Sequence, residues 1–395
     1  MNVFKLSFKN LFARPMRSVL TVTMLTMGVA LASLLILVGN ALDDSFKKNI
    51  RGIDMVVGAK GSPLQLILSA IYQIDSPTGN ISLAEARKLA KNPQIKETIE
   101  LSFGDSYKGR RIVGTSQKYV ALYDGSMADG ILWEKPFEAV VGAQVSQEFD
   151  LKTGDEFYSA HGVDGMGHDH EEHPFTVVGV LNTSGSVLDK LILTAPESIW
   201  EVHADADHDS SATPEITAML VKFRSKMGIM TLPRVVNQQT SMQAALPAIE
   251  VNRLFELFGV AISTLQIVAL VIMLLGAVSV FVSMVNALKD RAFEMALMRS
   301  MGASRSQIFG MILLEALMLG IIGTVLGLIL SHIGIAFLNT YANEQFGINV
   351  SIWALDPLEW LLITATIVLC IFAALLPSIT TIKMDVSKIL SRYEN

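Results

Sequence analysis

Four stretches of this chain carry no Asp, Glu, Lys or Arg over a length that leaves few folds open to it: Ser18 to Leu42, Leu257 to Leu288, Ala316 to Asn343 and Trp360 to Ile382. Each exceeds the roughly 20 helical residues needed to cross a bilayer core. An unpaired peptide group in hydrocarbon costs several kcal/mol, so each stretch is expected to be a helix that satisfies its own backbone. The remainder fits that reading, since 51% of the 395 residues are hydrophobic and only 17% charged, with a mean hydropathy of +0.45. Ordinary soluble domains carry nearer a quarter charged residues. A lone cysteine, Cys370, lies inside an apolar run, which excludes a disulfide framework or a cysteine zinc site within one chain. The net charge of -6 argues against nucleic acid as a partner.

Basic residues next to the apolar stretches set the expected orientation. Lys5, Lys9, Arg14 and Arg17 precede the first; Lys289, Arg291, Arg299 and Arg305 lie between the second and third; Lys383, Lys388 and Arg392 follow the fourth. The connection from Asn339 to Pro357 has no Lys or Arg. The expected layout is a basic cytoplasmic leader (1–17), a first span (18–42), a large outer domain (43–256), a second span (257–288) and a cytoplasmic connection (289–307). A third span (308–338), a short outer loop (339–357), a fourth span (358–382) and a cytoplasmic tail (383–395) complete it. The first apolar stretch is longer than the roughly 7 to 15 apolar residues of a signal peptide, so it is read as a retained helix despite the small-x-small site at Gly39 to Ala41.

The region from 40 to 256 holds 20 Lys plus Arg against 29 Asp plus Glu and alternates apolar with polar residues in short runs. It is expected to be an α+β domain inserted between the first two membrane helices. Strands are expected at Thr98 to Phe103, Arg111 to Gly114, Ala139 to Val141, Phe175 to Val180, Leu191 to Thr194 and Ile216 to Phe223. Ser82, with Glu85 three residues on, predicts a capping box opening a helix to Lys91. Asp43 to Arg51 and Ser241 to Glu256 are placed to continue the flanking membrane helices as a stalk, with Pro247 interrupting the second.

No G-x-x-x-x-G-K-[ST] loop occurs, so these residues hold no nucleotide by that route, and no Ser, His and Asp constellation stands out as catalytic. The connection after the second span is the most specific stretch. Phe293, Ala296 and Leu297 recur there at helical spacing, with Arg291, Glu294 and Arg299 around them, which predicts a short amphipathic helix that Gly302 would end. Physics alone leaves two readings open, a docking helix and a solvated positive-inside loop. Glu315 and His332 fall within or near the third span, where an ionisable group should turn inward to a partner. For each, packing is a fair alternative to function.

The pattern R-x-x-E-x-A-L-x-R-x-x-G-A-S-x-x-Q-I-F from Arg291 to Phe309, followed by Glu315, Gly320, Gly323 and Gly327, closely resembles the permease signature of the MacB/FtsX-like family of ABC transporters. Lys9 to Arg17 before the first span and Pro377 with the basic tail through Val386 and Leu390 resemble it too. In the outer domain Gly142 to Val145, Leu151 to Asp155 and Phe175 to Val180 match the family's G-A-x-V, L-x-x-G-D and F-x-V-V-G-V. The resemblance implies a multi-pass inner-membrane permease with both termini cytoplasmic and its large domain periplasmic. It also implies a separate cytoplasmic ATPase dimer that binds ATP, contacts Arg291, Glu294, Arg299 and Gly302, and relays its closure to the outer domain. A second permease chain, identical or homologous, and a periplasmic adaptor, lipoprotein or metal-binding protein are the further partners expected beside the lipid bilayer. Export, lipoprotein release and envelope mechanotransmission all occur in such a family.

Six of the seven histidines fall in the outer domain, where His161, His168, His170 and His173 cluster with Asp164, Asp169, Glu171 and Glu172 in a Gly-rich loop. Imidazoles and carboxylates at that density suit Zn2+, giving a second reading in which the system is linked to zinc; a solvated acidic loop is the bland one. A third reading is a membrane-anchored receptor or scaffold without an ATPase.

Overall fold

A computed structural model describes residues 7–9, 15–161, 173–207, 214–346 and 355–382. The chain divides into two compact units: residues 42–257 with 342–349, and the remainder. Among the described residues, four helices are long and apolar enough to cross a membrane: α1 (Pro15–Ile50) and, further along, Pro247–Asp290, Arg305–Phe346 and Pro357–Ile382.

Among the described residues, the inserted unit is built on one mixed sheet of eleven strands. In chain order the elements are β1 (Met55–Ala59), α2 (Pro63–Ile67), β2 (Ile81–Ser82), α3 (Leu83–Ala90), β3 (Ile95–Tyr107), β4 (Arg110–Thr115), α4 (Lys118–Leu122), β5 (Met127–Gly130), β6 (Glu138–Val141) and α5 (Ala143–Phe149). They continue with β7 (Glu156–Phe157), β8 (Ala160–His161), β9 (Phe175–Leu181), β10 (Ile192–Thr194), α6 (Pro196–Asp207), β11 (Glu215–Ile216), β12 (Ala218–Phe223), α7 (Met227–Gln239) and β13 (Met242–Ala245). The main path runs β13-β1-β12-β3-β4-β10-β6-β9-β5, while β2 and β11 form a separate ribbon. Pairings β4/β10 and β6/β9 are parallel; the others are antiparallel.

Strand period explains how the sheet is covered. Val56, Leu220, Leu101, Val113, Leu193 and Val140 belong to one buried cluster. Their chain neighbours Met55, Val57, Met219 and Val221 enter a second, and Ile112, Ile192, Ala139 and Val141 a third. Successive side chains point to opposite faces, so both faces of the sheet are dry and the strands read as short continuous apolar runs. Five of the expected strands are present, whereas Ile216 to Phe223 breaks at Thr217, with Ile216 ending β11 in the separate ribbon and Ala218–Phe223 forming β12. The two-residue strands β2, β7 and β8 lie outside the expected set, as do β1, β5 and β13: Met-Val-Val-Gly-Ala and Met-Gln-Ala-Ala offer no alternation, and Met-Ala-Asp-Gly is polar.

The last turns of α1 and the first turns of α8 (Pro247–Asp290) belong to this unit and are tied into its core. Phe46 packs edge-on to Phe255 at 5.4 Å and tilts against Tyr72 at 4.8 Å. The Tyr72 hydroxyl donates to the Phe46 carbonyl, Tyr123 donates to the Asn49 carbonyl, and the Asn49 side chain accepts the Val187 amide at 3.1 Å. Lys48 Nζ donates to the Ser184 carbonyl. Pro247 stands at the first helical position of α8, where its missing N–H has no intrahelical bond to lose.

The membrane unit contains the rest of α1 and α8, then α9 (Ala292–Ser300), α10 (Arg305–Phe346) as far as Tyr341, and α11 (Pro357–Ile382). Without a hydrophobic force between helices in lipid, close approach has to come from small residues and polar pairs. At Gly323 and Gly327 of α10 an added Cβ would sit 2.7 Å from the Cβ atoms of Leu25 and Val29, so the glycine pair receives α1 of the same chain. Thr21 and Ser279 hydroxyls meet at 3.0 Å between α1 and α8, and Arg17 pairs with Asp290 at 2.9 Å. Pro377 lies inside α11.

Candidate functional site

The connection between α8 and α10 holds the candidate site. At Arg291 the backbone leaves helical geometry (φ -109, ψ 15), and α9 starts one residue later. Its end is a Schellman motif: Gly302 takes φ +99, its amide donates to the Arg299 carbonyl at 3.1 Å, and the Ala303 amide donates to the Met298 carbonyl at 2.9 Å. A capping box then opens α10. The Ser304 amide donates to Gln307 Oε1 at 2.9 Å, and the Gln307 amide returns to Ser304 Oγ at 3.3 Å. The end of α9 and the start of α10 are thus set by local chemistry, while Arg291 makes no side-chain cap bond at the start of α9.

One face of α9 is packed and the other is open. Met295 is buried in a cluster with Leu25, Val280, Met284, Ile308 and Ile312, and Ala296 beside it is buried too. Phe293, Leu297 and Met301, at four-residue spacing, are 41%, 45% and 71% exposed. Ala296 therefore parts from Phe293 and Leu297, with which its spacing had grouped it, because a 100° step puts residues one and three apart near the border of two faces. Glu294 is exposed beside the outward row.

Arg291 turns inward. Its Nη1 lies 3.4 Å from Glu315 Oε2, with the two side chains 12% and 9% exposed, in a cleft lined by Met284, Leu288, Met295, Met311 and Ile312. This pair fastens the start of α9 to α10. Arg299 has its Nε and Nη1 buried with no acceptor among the described residues. His332 is remote from these groups: its Nδ1 is 3.0 Å from the Leu328 carbonyl and 3.9 Å from Glu359. Arg291, Glu294 and Arg299 thus take three different environments, which their spacing does not distinguish, whereas Gly302 ends the helix where the sequence placed that end. The S-x-x-Q box at Ser304 was legible in the sequence and is the signal the motif reading passed over.

Of the candidate metal ligands, His168 and His170 lie outside the described residues. His161 ends β8, in register with Asp105. His173 stacks on Phe137 at 5.0 Å, with the rings 13° from parallel. Among the described residues no group of three or more His, Cys, Asp or Glu gathers as a metal site.

The order of elements agrees with two known domains. The MacB-like periplasmic core domain matches residues 18–231, more than half of the chain, and the FtsX-like permease C-terminal domain matches 266–386. The chain belongs to the MacB/FtsX-like family of ABC permeases. This MacB/FtsX-like chain is 22% identical over 376 residues to the pyoverdine export ATP-binding/permease protein PvdT of Pseudomonas syringae pv. tomato. That match covers 90% of this chain and 55% of the relative, so the chain spans about half of that protein's length. Over 87 residues it is 33% identical to the ABC transporter permease YtrF of Bacillus subtilis, covering 22% of this chain and 19% of that one. Among solved structures, the periplasmic region of MacB from Actinobacillus actinomycetemcomitans aligns over 53% of this chain and 97% of its own, at 14% identity and a TM-score of 0.35. The extracellular domain of YknZ from Gram-positive bacteria aligns over 48% and 98%, at 11% identity and 0.31.

Proposed function

We propose that this permease is driven by an ABC ATPase domain lying outside these 395 residues, which docks on α9 and works on the inserted domain through α1 and α8. The observation that carries the proposal is the outward row Phe293, Leu297 and Met301 on a helix whose other face is packed and whose C-terminus is closed by a Schellman motif. A preorganised apolar ridge loses little conformational entropy on binding. Support also comes from the PvdT relative, whose name joins ATP binding to a permease, and from the absence of a phosphate-binding loop in this chain. The Arg291–Glu315 pair would pass a push on α9 to α10, and the Arg17–Asp290 pair would join the inner ends of α1 and α8. In this reading α9 and both termini are cytoplasmic, the inserted domain is periplasmic, and two permease chains meet one ATPase dimer.

The test is association with the cognate ATPase in detergent or nanodiscs. Leu297→Asp and Met301→Asp are expected to reduce co-purification at least tenfold with an unchanged unfolding midpoint, and Glu294→Arg to weaken it less. Undiminished association in both aspartate variants would overturn the assignment of the surface. Co-purification of no ATPase with the unaltered chain would favour a receptor or scaffold.

A further inference from the structure

Far along the membrane unit from α9, a second buried polar cluster joins α1, α10 and α11. Glu359, in the first turn of α11, is fully buried. Its Oε2 accepts the Asp356 amide at 3.0 Å, and Asp356 Oδ1 accepts the Leu358 amide at 2.8 Å, so the two carboxylates cap α11 reciprocally. Each has an oxygen left over, and both spare oxygens take a donor from α1. Ser33 Oγ donates to Glu359 Oε1 at 2.6 Å, and Asn40 Nδ2 donates to Asp356 Oδ2 at 2.8 Å. Ser33 and Asn40 are seven residues apart, two turns on one face of α1.

The proton directions follow from this geometry. Ser33 has one hydroxyl proton and gives it to the carboxylate, so the 2.6 Å contact with Ser331 requires Ser331 to donate to Ser33. The Leu328 carbonyl, also within reach of Ser331, is then served by His332 Nδ1. A one-way chain runs from α10 through α1 to α11, with Ser33 and Ser331 both buried. Apolar contacts between helices in lipid are non-directional and do little to resist axial sliding, whereas bonds to a buried carboxylate fix register.

We propose that the cap of α11 is a latch for α1, in which Glu359 acts through Ser33 as a positioning residue that sets the axial register of α1 against α10 and α11. The latch does not depend on the ATPase reading, although it would bound the travel of a helix which that reading makes a transmitter. Leaving Glu359 buried without Ser33 is costly, so α1 has two defined states, engaged or released, rather than a continuum of slides.

The experiment measures the distance between nitroxide labels at Met27→Cys and Leu361→Cys, both exposed positions on membrane helices, in the full chain with Cys370→Ala in nanodiscs. A single narrow distribution is expected for the unaltered latch. Ser33→Ala, which removes only a hydroxyl, and Glu359→Leu should broaden it or move its mean by at least about 1.5 Å, one residue of helical rise. Glu359→Gln, which keeps an oxygen for Ser33, should retain the original mean, and Thr364→Val nearby should change nothing. If Glu359→Leu does not fold, Ser33→Ala still decides. Distributions in Ser33→Ala and Glu359→Leu that match the original would overturn the latch. With the ATPase added, an intact latch whose distance ignores ATP would count against the ATPase reading alone.

Discussion

Two cationic side chains of the inserted unit show how burial acts one residue at a time. Arg111 on β4 is 8% exposed and donates to the carbonyls of Ser69 and Asp75 and to Gln73 Oε1, with its guanidinium 5.0 Å above the Phe103 ring. Burial pulls its pKa below the usual arginine value. Arg111→Met would leave those acceptors without their donor, and a loss of about 2–3 kcal/mol is expected in the unfolding free energy of the full chain. Lys190 is half-buried, and desolvation first, then Arg110, lowers its ammonium to about 8. The unfolded chain keeps that proton up to about pH 10.4, so between about 8 and 10.4 unfolding takes up a proton and stability rises with pH. Solvent screening reduces the gain to on the order of 1 kcal/mol. Unfolding midpoints at pH 7.5 and 10 would register it, and Lys190→Met should flatten that rise. Neither environment can be read from the residue type, because each is made by carbonyls and charges distant in sequence.

At the scale of elements, capping and close packing show where local pattern suffices. The motif S-x-x-E at Ser82 places the start of α3 correctly, yet the Ser82 side chain makes no cap bond and Glu85 accepts instead from Ser241 at 2.8 Å. The boxes at Ser304 with Gln307 and at Asp356 with Glu359 do form. A box is a local offer that a tertiary donor can outbid. The Gly323 and Gly327 spacing likewise announces close approach without naming the approaching helix, which is α1. Gly323→Leu and Gly327→Leu should each cost about 1–3 kcal/mol through overpacking against Leu25 and Val29, seen as a lower unfolding midpoint in detergent. Gly310→Leu, where an added Cβ meets nothing within 4 Å, should leave the midpoint unchanged.

For the whole molecule, orientation is the property with the widest consequence. A thiol introduced at Ser300 in a Cys370→Ala background is expected to react with a membrane-impermeant reagent only after permeabilisation, and one at Gln239 in intact cells. Labelling of the Ser300 position from outside would reverse the topology and with it the docking of an ATPase on α9. The four long helices, the domain between the first two and the strands β3, β4, β6, β9, β10 and β12 were legible in the sequence, because hydropathy over a span and alternation along a strand are properties of contiguous residues. The inward turn of Arg291 to Glu315, the splitting of Ala296 from Phe293 and Leu297, and the seat of α1 on the cap of α11 were not. Each depends on which distant segment arrives at a given face, and periodicity specifies the face without specifying what meets it; only tertiary packing supplies the partner.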